Sequence, residues 1–251
     1  MNPDEQQQDG EPAPWRVLPG FAFTSVTPGP QTALAAAMLI AMLARDGANV
    51  AAMVPVETGL DEPCEPGSAG SLVRWAAGHM DDPRLVTPFA LEENRPAMHA
   101  ADAAGTLLHA AAFDRAREEL CDGRTTLVIA DAVGLLDPIT PSLTMLDLLA
   151  RWEAAVAIVE PISRWAVGHI NLLSAALLSR NLLIAGVILS PKNLEDDIDD
   201  ESIAAMCETL AATLDCPVVL LPKVLEMHDR SELLTAAHDC GMHRLVRRIA
   251  S

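Results

Sequence analysis

Three segments of the sequence join a short apolar run to residues of the kind that hold phosphates, metal ions or substrates. They are Thr24–Thr32 (TSVTPGPQT), Val54–Gly59 (VPVETG) and Ala130–Ile139 (ADAVGLLDPI). Ligands of parallel α/β sheets bind outside the carboxyl ends of the strands. If the apolar runs are strands of such a sheet, these three segments are expected to meet at one edge.

The segment Thr24–Thr32 has part of the design of a phosphate-binding loop. Such a loop uses glycines to turn backbone N–H groups toward a polyphosphate, and the following helix adds its positive end. Thr32 stands where a Mg²⁺-binding hydroxyl would be, but Gln31 stands where a lysine is required. Pro28 and Pro30 lack an N–H. On this segment alone, a proline-rich turn with Thr32 near the helix start is the favoured interpretation.

The elements around these segments alternate between buried strands and helices. The predicted strands are Gly20–Ser25, Val50–Val56, Thr126–Asp131, Ala155–Glu160, Leu183–Leu189 and Pro217–Leu221. The predicted helices are Thr32–Asp46, Gly67–Gly78, Leu107–Leu120, Ser142–Glu153, Gly168–Ser179, Ile198–Leu214 and Asp229–Ile249. Most of the strands are apolar on both faces. The pattern predicts an α/β fold, a doubly wound parallel sheet with helices on both faces.

Composition bounds the class of protein. The 251 residues suit one domain, predicted over residues 19–251 after an acidic and disordered leader at 1–18. A net charge of −18 and 3% aromatic residues disfavour nucleic-acid and membrane-surface binding. The five cysteines form no C-x-x-C pair, and the amino terminus has no secretory pattern, so we expect reduced thiols and a cytoplasmic protein.

Taken in order, the segments resemble the dethiobiotin synthetase family, which uses ATP to close a cyclic urea from 7,8-diaminononanoate and CO₂. The family's phosphate loop, G-T-D-T-x-V-G-K-T, falls on Thr24–Thr32. Thr27 and Thr32 match, whereas Gln31 replaces the lysine.

Four further family motifs fall on this chain in the same order. K-P-V-x-S-G falls on Val54–Gly59, where Val54 replaces the lysine, and E-G-A-G-G-L-L-x-P-L falls on Ala130–Ile139, where Ala130 replaces the metal-binding glutamate. P-H-L-A-A resembles Pro96–Ala100, and L-G-x-I-N-H-x-L-L resembles Val167–Leu173. The resemblance covers about Phe21 to Val224, and Ser190 stands where the family's adenine-reading asparagine would be.

The resemblance implies a phosphate-loop NTPase-like fold, ATP and Mg²⁺ as cofactors, a small-molecule substrate and a homodimer. It implies a catalytic set of Thr27, Gln31, Thr32, Val54 and Thr58. It implies a nucleotide-binding set of Gly29, Gln31, Thr32, Gly134, Ser190 and Pro222. It implies a substrate set of Thr58, His99, Gly134 and Asn171, and metal binding by Thr32 and, if the loop register differs by one residue, by Asp131.

Charged and polar residues near the motifs could replace the charged groups lost at Gln31, Val54 and Ala130. For each of these residues, however, a simpler structural interpretation is favoured. Solvated loop charges are favoured for Glu57, Asp131, Asp137 and Lys192, a partly buried helix histidine for His99, and a surface residue for His169. The acidic run Glu195–Glu201 has clustered carboxylates but lacks the spacing and glycine of a Ca²⁺ loop, so a solvated loop is favoured there as well.

Three functional hypotheses remain open. The first is a dethiobiotin synthetase with a remodelled site, whose activity is reduced or lost because each missing charged group costs about 3 kcal/mol of transition-state stabilisation. The second is a non-catalytic, dimerising or regulatory relative. The third is a MinD-like or cobyrinate-amidase-like NTPase, which requires a signature lysine that Thr24–Thr32 lacks.

Overall fold

The structure is a computed structural model that describes residues 20–78, 80–191, 198–224 and 226–250. The leader predicted at residues 1–18 lies outside these residues, as does residue 192 and much of the acidic run that follows it.

The described residues form ten strands. They are β1 (Phe21–Thr24), β2 (Val50–Met53), β3 (Val56–Thr58), β4 (Phe89–Leu91), β5 (Thr126–Ala130), β6 (Pro138–Thr140), β7 (Leu143–Thr144), β8 (Ala155–Pro161), β9 (Ile184–Ser190) and β10 (Val218–Leu220). Six of them form one parallel sheet in the order β10-β9-β8-β1-β5-β2. The predicted parallel sheet is confirmed, and its topological switch lies beside β1, where a ligand crevice is expected.

Ten helices connect these strands in the described part of the chain. They are α1 (Pro30–Arg45), α2 (Ala69–Ala76), α3 (Pro83–Val86), α4 (Ala97–Ala104), α5 (Ala110–Leu120), α6 (Met145–Arg151), α7 (Ala166–Ser179), α8 (Asp200–Leu214), α9 (Arg230–Asp239) and α10 (His243–Ala250). No described helix is long and apolar enough to cross a bilayer.

Helices cover both faces of the sheet, as shown by the side chains of β8 and β9, which point alternately to one face and the other. A Cβ placed on Gly186 would meet Leu245 of α10. Glu160 pairs in register with Leu189, three residues beyond Gly186, and its carboxylate contacts His169 of α7. Because successive strand residues point to opposite faces, α7 and α10 lie on opposite sides of the sheet.

The core is aliphatic, and α1 lies at its centre. Every residue of α1 from Thr32 to Leu43 is buried, with α2 and α9 packed against it. Phe21 and Phe23 of β1, which α1 contacts, are fully buried, and their rings lie with centroids 5.0 Å apart at an angle of 30°. This packing fixes the start of α1 above the carboxyl end of β1.

Two predicted elements are broken in the structure. The predicted strand Val50–Val56 leaves the main sheet after Met53, because Pro55 has no N–H for a ladder and the N–H of Val54 bonds to Val86. Its continuation, β3, pairs with β4 in a separate two-stranded sheet. The predicted helix Asp229–Ile249 is two helices, since Gly241 adopts a φ of 76° and ends α9.

Other helices begin at different residues than the sequence pattern indicates. The predicted helix Ser142–Glu153 begins only at Met145, because Leu143–Thr144 pairs with β6 and Thr144 caps the helix in a reciprocal bond with Asp147. The helix predicted from Thr32 begins two residues earlier, with Pro30 in its first turn. Proline suits that position since its missing N–H would have no helical partner there.

Candidate functional site

A cavity of about 320 Å³ lies at the carboxyl edge of the sheet, beside the start of α1. Its wall is built from six loops and helix starts that come from different parts of the sequence. It is lined by Pro28, Gly29, Pro30, Ala33, Glu57, Thr58, Gly67, Ser68, Ala69, Leu72, Asn94, Asp131, Ala132, Met227 and His228. The volume is at the lower end of the range for small-molecule sites.

Asp131, the residue after β5, is buried in this wall at 2% exposure. Its Oδ2 accepts a 2.6 Å hydrogen bond from the hydroxyl of Thr24, and its Oδ1 accepts the N–H groups of Val133 and Gly134 at 2.9 and 3.0 Å. Burial raises the pKa of this carboxyl above its usual value, against the lowering effect of the three hydrogen bonds. The interpretation of Asp131 as a solvated loop charge is therefore wrong, because the residue ties β1 to the loop after β5.

Glu57 has a similar position on the other side of the cavity. Its two carboxylate oxygens accept the N–H groups of Ala69 and Gly70, at 2.6 and 3.0 Å, while Ser68 caps the next N–H of α2. Desolvation raises the pKa of Glu57, and the two backbone hydrogen bonds oppose that shift. The prediction of a solvated charge is wrong here too, since Glu57 anchors the start of α2.

The loop after β5 approaches the loop after β1 closely at Gly134. Gly134 has a φ of 104°, and a Cβ on it would lie 3.2 Å from the carbonyl oxygen of Val26. The N–H of Leu135 bonds to the carbonyl of Ser25. A side chain at position 134 would therefore push the two loops apart, which explains a glycine there.

The loop before α1 is occupied by its own side chains. Gly29 is the N-cap residue, in an extended conformation, and a Cβ on it would lie 2.9 Å from Oε1 of Gln31. Gln31 thus lies back against the cap and leaves its amide near the space that a phosphate-binding loop keeps open. Thr32 is 2% exposed and bonds through its N–H to the carbonyl of Gly29.

The structure brings three of the proposed site residues together on the cavity wall, namely Gly29, Thr58 and Asp131. The remaining proposed residues lie off the wall. They are Thr27, Gln31, Thr32, Val54, His99, Gly134, Asn171, Ser190 and Pro222. His99 is exposed on α4, so its expected partial burial is wrong. Asp137 is exposed as predicted, and Lys192 lies outside the described residues.

Among the lining residues that the sequence reasoning missed, four come from segments to which it assigned no role in a site. Ser68 and Asn94 come from the region around the small β3–β4 sheet, and Met227 and His228 come from the loop before α9. His228 is held by an edge contact with Trp75 of α2, with ring centroids 5.1 Å apart. No pattern in the sequence indicates this contact, because it joins segments more than 150 residues apart.

A second pair of polar side chains lies at the carboxyl end of β8. Nδ1 of His169 is 2.7 Å from Oε1 of Glu160, and Glu160 is 5% exposed. Oε2 of Glu160 has no hydrogen-bond partner. His169 is therefore more than a plain surface residue, since the buried carboxylate orients its ring.

The cavity wall fits a nucleotide poorly. Glu57 and Asp131 are its two acidic side chains, and none of its lining residues is Lys or Arg. Binding of a triphosphate requires positive charge on the β- and γ-phosphates. The described residues also contain no group of three or more His, Cys, Asp or Glu side chains that could hold a metal ion.

The fold is that of the α/β phosphate-loop NTPases. The MinD cell division protein of Aquifex aeolicus superposes with a TM-score of 0.50 over 91% of this chain and 95% of its own, at 14% identity. A likeness at that identity describes the fold alone.

Sequence comparison gives the family. A family model described as "AAA domain" matches residues 31–219, and the chain belongs to that family. The protein named ATP-dependent dethiobiotin synthetase BioD from Anaeromyxobacter dehalogenans strain 2CP-1 is 28% identical over 203 residues, which are 81% of this chain and 89% of the relative. The protein of the same name from Novosphingobium aromaticivorans is 31% identical over 61% of this chain and 69% of its own. The family is thus dethiobiotin synthetase-like, as the sequence motifs predict.

Proposed function

We propose that this protein is a dethiobiotin synthetase-like protein of biotin biosynthesis in which ATP- and Mg²⁺-dependent carboxylation and ring closure of 7,8-diaminononanoate is reduced or lost. One observation carries the proposal. The cavity at the carboxyl edge of the sheet is built from the loops on which the family motifs fall, but its described lining presents two carboxylates, Glu57 and Asp131, and no lysine or arginine.

The wall is better suited to an amine than to a phosphate. A carboxylate about 8 Å from a phosphate charge opposes it by roughly 2 kcal/mol at an effective dielectric constant of 20, and favours an ammonium group by the same amount. The diamine substrate that the family resemblance implies is therefore compatible with Glu57 and Asp131. The same two carboxylates disfavour binding of the phosphates of a nucleotide.

The proposal is tested by assaying dethiobiotin formation from 7,8-diaminononanoate, bicarbonate and MgATP. We expect a rate at least about a hundredfold below that of an active relative, because charged groups that stabilise the transition state typically contribute that much each. An authentic relative, such as the Anaeromyxobacter dehalogenans protein, is the control under the same conditions. A rate equal to the relative's would overturn the proposal.

A second candidate, a non-catalytic dimerising or regulatory relative, is favoured by the surface of α7. This helix has no Asp, Glu, Lys or Arg, and its outer side exposes Trp165 just before it and Leu172 and Leu178 within it. An exposed apolar helix face of this kind is typical of a protein interface. We propose that two copies of the chain associate through this face.

Leu172→Glu tests the dimer. Leu172 is 66% exposed, so the substitution leaves the monomer folded and places a charge in the proposed interface. Light scattering should give a dimer for the natural protein and a mass near 26.7 kDa for the variant. Leu107→Glu, the same change at a leucine that is 80% exposed and lies outside α7, is the control, and a natural protein that is already monomeric contradicts the dimer.

We also place the protein in the cytoplasm. All five cysteines are free thiols; Cys216 is buried and the other four are partly buried. Unpaired thiols are typical of a reducing compartment.

A further inference from the structure

A second cavity lies at the opposite end of α1 from the candidate site. It has a volume of about 460 Å³ and is formed where the last turn of α1, the α9 helix and the α10 helix meet. Residues at the start of α1 and before α9 line the first cavity, and residues near the ends of both helices line the second. Along α1, Ala33 of the first wall and Met42 of the second are nine residues apart, which is about 14 Å.

The floor of this second cavity is apolar. It is built from Met42 and Leu43 of α1, Leu234 of α9 and Val246 of α10. Three of the four, Met42, Leu43 and Val246, are at least 94% buried. An apolar floor of this size accommodates a short hydrocarbon chain or ring.

The rim is basic. Arg45, His238, His243 and Arg247 come from three different helices and surround the floor, with Asp46 as the acidic member. His243 and Arg247 are four residues apart on α10 and therefore lie on one face with Val246. In a chain with a net charge of −18, such a rim is a local reversal of charge.

The acidic partners of the basic rim residues do not balance all of the positive charge of the rim. Arg45 forms an ion pair with Asp46 at 2.8 Å, and His238 lies 3.3 Å from Asp239. For Arg247, the described residues provide no ion pair or hydrogen bond. The pKa of His243 is lowered, first by desolvation and then by the charges of Arg247, His238 and Arg244, as expected beside cations without enough anions.

Helix dipoles explain a basic residue at each helix end. They do not explain why three helices direct basic residues around one apolar-floored cavity. We propose that this cavity binds an amphipathic organic anion, whose carboxylate or phosphate head contacts Arg247 and Arg45 and whose apolar part covers Met42, Leu43 and Leu234. A guanidinium group matches either head through paired hydrogen bonds.

Neither histidine is required to be charged for this binding. Their protonation would add to the attraction, and Asp46 and Asp239 oppose it. Because the cavity is separate from the carboxyl edge of the sheet, the site stands independently of dethiobiotin formation. A protein without that activity is still expected to bind the anion.

The test uses octanoate, 1-octanol and inorganic phosphate as probes of the natural protein labelled with ¹³C at its methionine methyl groups. We expect octanoate to shift the Met42 signal and to bind at least about tenfold more tightly than octanol or inorganic phosphate, since one charge-assisted hydrogen bond is worth about that factor. Octanol binding as tightly as octanoate would show that charge plays no part, and phosphate binding as tightly would show that the floor plays none. Either result overturns the proposal.

Two arginine variants locate the site. Arg247→Gln should weaken octanoate binding about tenfold, whereas Arg244→Gln, an equal charge change on the same helix but off the cavity wall, should change it by less than about threefold. Arg45→Gln tests the contribution of α1 to the site, and it should also weaken octanoate binding. Equal losses in Arg247→Gln and Arg244→Gln, or no shift of Met42 with any probe, would refute the site.

Discussion

Asp131→Asn is expected to raise the affinity of the candidate site for MgATP. The substitution removes the negative charge that Asp131 places on the cavity wall when it is ionised, with little change of shape. The amide oxygen of asparagine can accept the N–H groups of Val133 and Gly134, and its NH₂ can donate to the hydroxyl of Thr24. The variant therefore keeps the three hydrogen bonds that hold the loop.

The size of the effect follows from the charge that is removed. At about 8 Å and an effective dielectric constant of 20, one charge pair contributes roughly 2 kcal/mol, which is about thirtyfold in affinity. Gln31→Lys together with Asp131→Asn adds a cation and removes an anion, so we expect a further gain of about tenfold or more. Gln31→Lys alone should gain less, because Pro28 and Pro30 still lack N–H donors and Asp131 remains.

Isothermal titration calorimetry with MgATP measures the dissociation constants. Asp122→Asn is the matched control, since Asp122 is an exposed residue before β5, at the opposite edge of the sheet, and the charge change is the same. The control should leave the affinity within about twofold. Micromolar binding by the natural protein, or an equal gain in both asparagine variants, would refute the electrostatic reasoning.

Two further predictions concern stability. Because burial raises the pKa of Asp131, the folded state binds this proton more tightly than the unfolded state, whose value is near 3.8, so the contribution of Asp131 to the free energy of unfolding falls as pH rises above 3.8. The melting temperature of Asp131→Asn, measured by calorimetry relative to that of the natural protein, should therefore rise as the pH is raised from 4 to 8. A difference between the two melting temperatures that does not change with pH would contradict this. Gly186→Ala should lower the free energy of unfolding by about 1 to 3 kcal/mol, because the added Cβ would meet Leu245 and lie 2.7 Å from the backbone oxygen of Pro217. Gly20→Ala, whose Cβ would make ordinary contacts at 3.8 Å with Ala154, is the control in urea titrations, and equal losses in the two variants would show that the clash is relieved.

The parallel sheet could be predicted from the sequence because its strands are buried on both faces and read as continuous apolar runs. The positions of the elements along the chain follow from that pattern and from the helical stretches between the runs. The order of the strands does not follow from it, and the family resemblance was needed to identify the sheet as that of a phosphate-loop NTPase. The points at which a predicted strand or helix is interrupted were harder to predict. Pro55 interrupts a strand because it lacks a backbone N–H, and Gly241 ends a helix because it has a positive φ, and both lie within otherwise regular sequence patterns.

The chemistry of the site was less predictable than its location. Thr58 and Asp131 could be placed at strand ends, but their surroundings depend on distant residues. Asp131 is buried because it accepts a hydrogen bond from Thr24, 107 residues earlier in the chain. Glu57 is buried because the start of α2 folds onto it, and sequence spacing carries no information about either contact.

The alanines of α1 have a geometric consequence for both cavities. Ala33, Ala35, Ala36, Ala37 and Ala41 are all at most 3% exposed, and short side chains let α2 and α9 lie close to the axis of α1. The lateral position of α9 is thus set by the thickness of α1. His228 precedes α9 at one cavity, and Leu234 and His238 belong to α9 at the other. A bulkier residue within α1 would displace α9 as a unit. The widths of the two cavities would then change together, because both depend on the distance between α1 and α9.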